Sequence, residues 1–210
     1  MKCLFIQTKS NMDKNITTFI FDCFKVFFSP PLSDWYERNI TKTGHIDPNY
    51  VNIIRDFDLG NLSEDGLFDY LLNHDWIKTT KQELRDEIVS LCVLDMKLVE
   101  VVNQIRSKGY KVALLSNAGH ELFEREIYRL YPYFKDLFDK IVISSEIKMV
   151  KPDPEIYLYT LDFIDSKPEE CFFVDDNNEN VTAAENLGIK SFVYTDVQSF
   201  VEYLETNKFL

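Results

Sequence analysis

Five short apolar runs, most of them closing on a polar residue, constrain this chain more than any other feature. They are "TTFIF" before Asp22, "KVALLS" ending at Ser116, "KIVISS" ending at Ser145, "CFFV" before Asp175, and "SFVY" at 191–194. Each is rich in β-branched or aromatic residues and apolar on both alternations, which is the pattern of a parallel strand covered on both faces. Helical patterns lie between them. "LVEVVNQIRSKG" places Leu98, Val101, Val102 and Ile105 on one stripe and ends at Gly109, and "NENVTAAENLG" does the same with Val181, Ala184 and Leu187 before Gly188. This alternation predicts an α/β fold built on a doubly wound parallel sheet. Ligands of such sheets gather at the carboxyl ends of the strands, so Asp22, Ser116 and Asp175 are expected to converge.

Residues 30–95 interrupt the alternation. A Pro-Pro break opens "PPLSDWYERN", and the stretches "YVNIIRDF", "EDGLFDYLLNHDWI" and "KQELRDEIVSLCVL" follow with helical spacing, as in Leu84, Ile88 and Leu91. A helical insert after the first strand is expected there, lying over the strand ends as a lid or cap. The expected division is a loose extension over 1–15, an α/β core over 16–29 and 96–210, and the cap over 30–95. Met12 is an alternative start within that extension. A chain of 210 residues is long enough for such a core with a small insert.

Composition narrows the partners. A net charge of −12 repels phosphate backbones and anionic headgroups, so neither nucleic acid nor a membrane surface is expected as the main partner. No apolar run approaches the roughly 20 residues that span a bilayer. Cys3, Cys23, Cys92 and Cys171 form no CxxC pair, which fits free thiols in a reducing compartment and a cytoplasmic protein.

The chemistry concentrates at four places. In "FIFDCFKVFF" a lone carboxylate, Asp22, ends an apolar run, where it needs either solvent or a cation. In "FFVDDNNEN" Asp175 and Asp176 adjoin at a strand end; either a cation such as Mg²⁺ neutralises them, or one caps the next helix and the other is solvated. Lys151 precedes a Pro-Asp-Pro turn that can hold it toward the strand ends. Ser116 and Asn117 in "LLSNAG" offer hydroxyl, amide and backbone N–H groups to phosphate oxygens, or simply make a strand-to-helix turn.

Taken in order, "FIFDCFKVF", "VALLSNA", "KPDPEIY" and "FVDDNNEN" resemble the four motifs of the haloacid dehalogenase-like hydrolase superfamily, over about residues 16–205. The resemblance implies a Rossmann-like core with an α-helical cap, and a Mg²⁺-dependent phosphatase of small phosphorylated metabolites. Asp22 is the implied nucleophile, with Lys151 and Ser116 as its catalytic companions. Asp22, the Phe24 carbonyl, Asp175 and Asp176 are the implied metal ligands. Ser116, Asn117, Lys151, Cys23 and Phe24 make up the implied phosphate-binding set.

One departure stands out. Most phosphatases of this superfamily carry a second Asp two residues after the nucleophile as general acid and base, and here that position is Phe24. Lys25 also stands where the family usually has Gly. Within the superfamily the chain looks most like sugar-1-phosphate phosphatases with a non-acidic residue at that position, whose leaving groups need little protonation. A non-catalytic metal or phosphate binder and a 2-haloacid dehalogenase are the alternatives. His45, His74 or Asp75 of the cap are candidate proton donors, and Trp35, Tyr36 and Trp76 are candidate pocket walls.

Overall fold

The computed structural model describes residues 16–75 and 77–210; the expectations for the 1–15 extension, Met12, Cys3 and Trp76 fall outside them. Five parallel strands form the sheet: β1 (Thr18–Phe21), β2 (Lys111–Ser116), β3 (Lys140–Ile143), β4 (Cys171–Asp175) and β5 (Lys190–Val193), in the order β3-β2-β1-β4-β5. Every residue of β1 and β4 is buried, as their two-sided apolar pattern requires. Phe19 and Phe21 point to one face with Val112, Leu114, Phe172 and Val174. Ile20 points to the other with Ala113, Leu115 and Phe173.

Helices cover both faces, which makes the sheet doubly wound. The first face receives Leu98, Val101, Val102 and Ile105 of the helix Met96–Ser107, together with Phe200 and Leu204 of the C-terminal helix Val197–Thr206. The second receives Ile156, Tyr157 and Leu161 of the helix Pro154–Phe163 and Ala184 of the helix Asn178–Asn186. The strand order reverses about β1, whose neighbours are β2 and β4, so the crevice for a ligand lies at the carboxyl end of β1.

β3 is shorter than its sequence suggests. It stops at Ile143 because Ser144–Ile147 turn into one helical turn, where Ser144 Oγ accepts from the Ala118 N–H at 2.9 Å and Ser145 Oγ from the His120 N–H at 2.9 Å.

Between β1 and β2 lie α1 (Pro31–Asn39), α2 (Tyr50–Asp58), α3 (Glu64–Leu72) and α4 (Lys81–Ser90), with no strand among the described residues. Ser63 caps α3, and a reciprocal Thr80–Glu83 capping box starts α4. These four helices share an apolar cluster of their own, centred on Trp35, Ile40, Phe57, Leu67, Phe68, Leu71, Leu84 and Ile88. No helix of the described residues is long and apolar enough to cross a membrane. Cys23, Cys92 and Cys171 are buried free thiols.

Candidate functional site

The parallel register aligns Phe21 with Leu114 on one side and Val174 on the other, so the three strands end together. Asp22, the residue after β1, donates its N–H to the Val174 carbonyl at 2.8 Å and carries the pairing one step past the strand. Cys23–Phe28 then fold back in a tight turn, with the Phe27 and Phe28 N–H groups donating to the Cys23 carbonyl at 2.8 and 3.1 Å. Val26, Phe27 and Phe28 plunge into the core, which is why the apolar run resumes after the carboxylate.

Lys151 stands at the centre of the strand ends, only 3% exposed. Its Nζ donates to Asp22 Oδ1 at 2.5 Å, to Asp175 Oδ2 at 2.7 Å and to the Leu115 carbonyl at 3.0 Å, so all three ammonium protons have acceptors. Asn117 fixes the backbone from which the lysine projects: its amide donates to the Lys151 carbonyl, and its carbonyl accepts from the Lys151 N–H, both at 2.9 Å. Burial alone would pull the ammonium down, but Asp175 and Asp22 outweigh it and the net shift is upward. Lys151 therefore stays charged. Burial pushes the Asp22 carboxyl up to about 7 against the pull of Lys151, with Asp175 adding to the rise.

The adjacent acids of β4 have different fates. Asp175 is fully buried, accepting from the Asn177 N–H at 2.8 Å and from the Asn180 amide at 3.1 Å in addition to Lys151. Asp176 is half-buried and pairs with Lys25 at 3.4 Å; burial raises its carboxyl and Lys25 works against that rise. Neither caps the following helix, a role taken by the Asn177 side chain, which accepts from the Glu179 N–H at 2.8 Å. Lys25 sits at φ +61°, the left-handed region that favours glycine, so a lysine is strained where the family usually has Gly.

Two features fit the ligands that the sequence suggests. One carboxylate oxygen each from Asp22, Asp175 and Asp176 lie within 4.8 Å of one another, an all-oxygen set suited to a hard divalent cation. Both Asp175 oxygens already hold protein donors, which leaves Asp22 and Asp176 the better placed to give an oxygen to a metal. Ser116 Oγ is the one buried side-chain oxygen or nitrogen among the described residues without a hydrogen-bond partner. Such a group is costly unless a ligand serves it, and it lies at the end of β2 beside the lysine's loop.

A cavity of about 170 Å³ separates the helical segment from the strand ends, lined by Phe24, Leu32, Ile54, Phe57, Asp58 and Asn117 among others. Phe24 packs near Phe28 and Phe123, at ring-centroid distances of 6.5 and 6.2 Å, and offers this cavity no titratable group. The cap residues singled out from sequence are elsewhere. His45 lies 2.8 Å from the Thr43 hydroxyl, His74 lies 3.4 Å from Asp47, and Asp75 is exposed and outside the cavity lining. Trp35 is a core residue bonded to Glu87 at 3.0 Å, and Tyr36 stacks on Tyr50. The acid that does line the cavity is Asp58, at the end of α2. Its signal in the sequence was the stretch "DFDLGNLS", where a carboxylate stands two residues before a turn glycine.

An α/β sheet that gathers a buried lysine and three carboxylates at its switch point defines a protein with an acidic, strand-end site. The family model for haloacid dehalogenase-like hydrolases matches residues 15–194, and the chain belongs to that family. Pyrophosphatase PpaX of Bacillus anthracis is 29% identical over 109 residues, which are 52% of this chain and 50% of that protein. The chain thus matches about half the length of this curated relative. The structure of a predicted HAD-like family hydrolase from Porphyromonas gingivalis superposes with a TM-score of 0.73, covering 91% of this chain and 97% of that one at 22% identity. An HAD family enzyme from Bacteroides thetaiotaomicron, solved with magnesium and inorganic phosphate, gives a TM-score of 0.67 over 88% of this chain and 98% of its own at 22% identity. At these identities the two structures establish the shared fold.

Proposed function

We propose that the protein is a Mg²⁺-dependent phosphatase of small phosphorylated metabolites that works through an aspartyl-phosphate on Asp22. The observation that carries this reading is the fully bonded Lys151, which holds Asp22 and Asp175 together beside the unpartnered Ser116 hydroxyl. A buried lysine orienting a strand-end carboxylate, two residues before Phe24 in the cavity wall, is an arrangement suited to an activated nucleophile. The relative named as a pyrophosphatase and the neighbour solved with magnesium and phosphate support the same chemistry.

In this reading Asp22 attacks phosphorus in line and the leaving oxygen departs toward the cap. Ser116 Oγ, the Asn117 N–H and Lys151 bind the phosphoryl oxygens, with Cys23 and Phe24 contributing from the turn after β1. Water then cleaves the aspartyl-phosphate. Asp22, Asp176 and the Phe24 carbonyl would hold Mg²⁺, with Asp175 beside them. When bound, the ion offsets negative charge on the transferring phosphoryl group.

Substrate choice belongs to the cap over 30–95, with the core over 16–29 and 96–210 below it. The cavity falls well under the roughly 300–1,000 Å³ of pockets for drug-sized ligands, so small leaving groups fit best. Sugar 1-phosphates, whose leaving oxygen needs little protonation, are the first class to test because Phe24 cannot give a proton. The dehalogenase alternative is weaker, since Asp175 and Asp176 oppose an anionic haloacid.

The test is phosphate release from a panel of phosphorylated metabolites with Mg²⁺ and with EDTA, beside Asp22→Asn. Release that needs the metal and falls by about 10⁴-fold or more in Asp22→Asn is the expected outcome. A fully active Asp22→Asn would sink the nucleophile assignment, and silence across the panel would favour a binding protein.

A further inference from the structure

We propose that Asp58, on the cap, is the general acid and base that Phe24 removed from the core. The inference rests on the phosphatase reading and extends it to the missing proton.

Its position comes first. Asp58 lines the cavity with Phe24, two residues after Asp22, and with Asn117, next to Ser116. The core clamps its backbone in place: Ser144 Oγ donates to the Asp58 carbonyl at 2.6 Å and accepts from the Ala118 N–H at 2.9 Å, tying the end of α2 to the loop that follows Ser116. Two glycines let the surfaces meet there. A Cβ on Gly60, which has φ +68°, would stand 2.5 Å from the Ser145 carbonyl oxygen, and a side chain on Gly119 would collide with the Phe57 ring. Arg55 adds an ion pair to Asp153 at 2.6 Å, two residues beyond Lys151. The segment 55–60 is thus the latch between cap and core.

Its chemistry fits the position. Asp58 is the last residue of α2, where the carbonyl end of the helix opposes a negative charge. Burial pushes its carboxyl up to about 7, with Lys151 and Arg55 opposing the rise. The charged and titratable groups around it are Lys151 from the core loop, Arg55 on its own helix with Asp153 as partner, and Tyr50, whose phenol feels the Asp58 charge. A carboxyl that titrates near neutrality is matched to giving a proton and taking one back.

The two steps balance as follows. A carboxylate oxygen of Asp22 forms a bond to phosphorus as the ester P–O bond breaks, and the departing electron pair takes the proton of Asp58. The Asp58 carboxylate then takes a proton from water as the water oxygen bonds to phosphorus. The acyl P–O bond breaks, its electron pair returns to Asp22, and inorganic phosphate leaves with Asp58 protonated again.

Phosphate release from ethyl phosphate, whose alkoxide needs a proton, is compared with release from p-nitrophenyl phosphate, whose phenolate does not. In kcat/KM, which reads the step that forms the aspartyl-phosphate and not its later hydrolysis, Asp58→Asn is expected to lose about 10²-fold with the first ester and under about tenfold with the second. Phe24→Asp added to Asp58→Asn should restore part of the ethyl phosphate rate. The wild type supplies a measurement that needs no variant. The acid step requires protonated Asp58, so the rate with ethyl phosphate, relative to the other ester, should fall as pH rises through about 7. Equal losses in kcat/KM with both esters, or a pH-independent kcat/KM ratio in the wild type, would overturn the assignment alone. A wild type that releases nothing from p-nitrophenyl phosphate in Mg²⁺ buffer would overturn the phosphatase reading and this proposal with it.

Discussion

At the floor of the site, Lys151 meets three acceptors in a setting almost without solvent, and its carboxylate partner Asp175 has every oxygen occupied. The latch above it, residues 55–60, hangs on one serine hydroxyl, two close glycine contacts and an ion pair whose partners are 47% and 43% exposed. Both regions carry charge near the strand ends, yet they hold it by opposite means. Buried charge is tolerated only when its partners are complete, so the floor has a single workable arrangement. The latch is held by one buried serine hydroxyl, close backbone approach at two glycines and an exposed ion pair, with no buried charge that demands complete partners.

The largest expected effect breaks the floor. Lys151→Met keeps much of the volume but leaves Asp22, Asp175 and the Leu115 carbonyl without their shared donor. Removing one member of a buried ion cluster costs about 3 to 5 kcal/mol, because the remaining charge is stranded. Urea unfolding should show that loss, and phosphate release should vanish with it. A variant as stable as the wild type would mean that the two carboxylates need no cation there.

The two regions also differ in how far the sequence disclosed them. Asp22, Ser116 and Asp175 could be placed at strand ends because parallel strands buried on both faces announce themselves as apolar runs, and the polar residue that stops each run marks its end. The bonding of Lys151 to a residue 129 positions away has no local pattern; it entered through resemblance, and only the fold brings the pair together. Adjacency could not say that Asp175 would be sealed in and Asp176 left to Lys25, since strand alternation sends neighbours to opposite sides. The cap was harder. Helical spacing disclosed its helices but not which ends face the core, and so His45, His74 and Asp75 drew attention while Asp58 did not. The helix end that docks was marked by Gly60, whose conformation becomes informative only once Ser145 is seen against it.

A smaller effect is expected at that glycine. Gly60→Ala forces an L side chain into the left-handed region, at about 1 to 2 kcal/mol, and drives a methyl into the Ser145 carbonyl. The turn must lift, carrying Asp58 away from the strand ends. Stability should fall by at least that amount, while kcat/KM for ethyl phosphate should fall more than kcat/KM for p-nitrophenyl phosphate. If both esters slowed alike, the latch would position the whole substrate rather than a proton donor.

The gentlest change separates the latch's charge from its shape. Arg55→Ala removes an exposed ion pair, and such pairs contribute about 0 to 1 kcal/mol, so thermal unfolding should barely move. Its effect on Asp58 has a definite sign. Arg55 favours the ionised carboxylate and holds the Asp58 carboxyl lower than burial alone would, so its loss raises that pKa further. The protonated acid then persists to higher pH, and the falling limb with ethyl phosphate should shift upward from the wild-type position. Asp153→Asn makes the contrast, since it breaks the same pair and leaves the Arg55 charge in place. A limb that moves in Arg55→Ala and stays in Asp153→Asn would tie the pH dependence to charge beside Asp58. A limb that moves equally in both would assign it to the latch's docking.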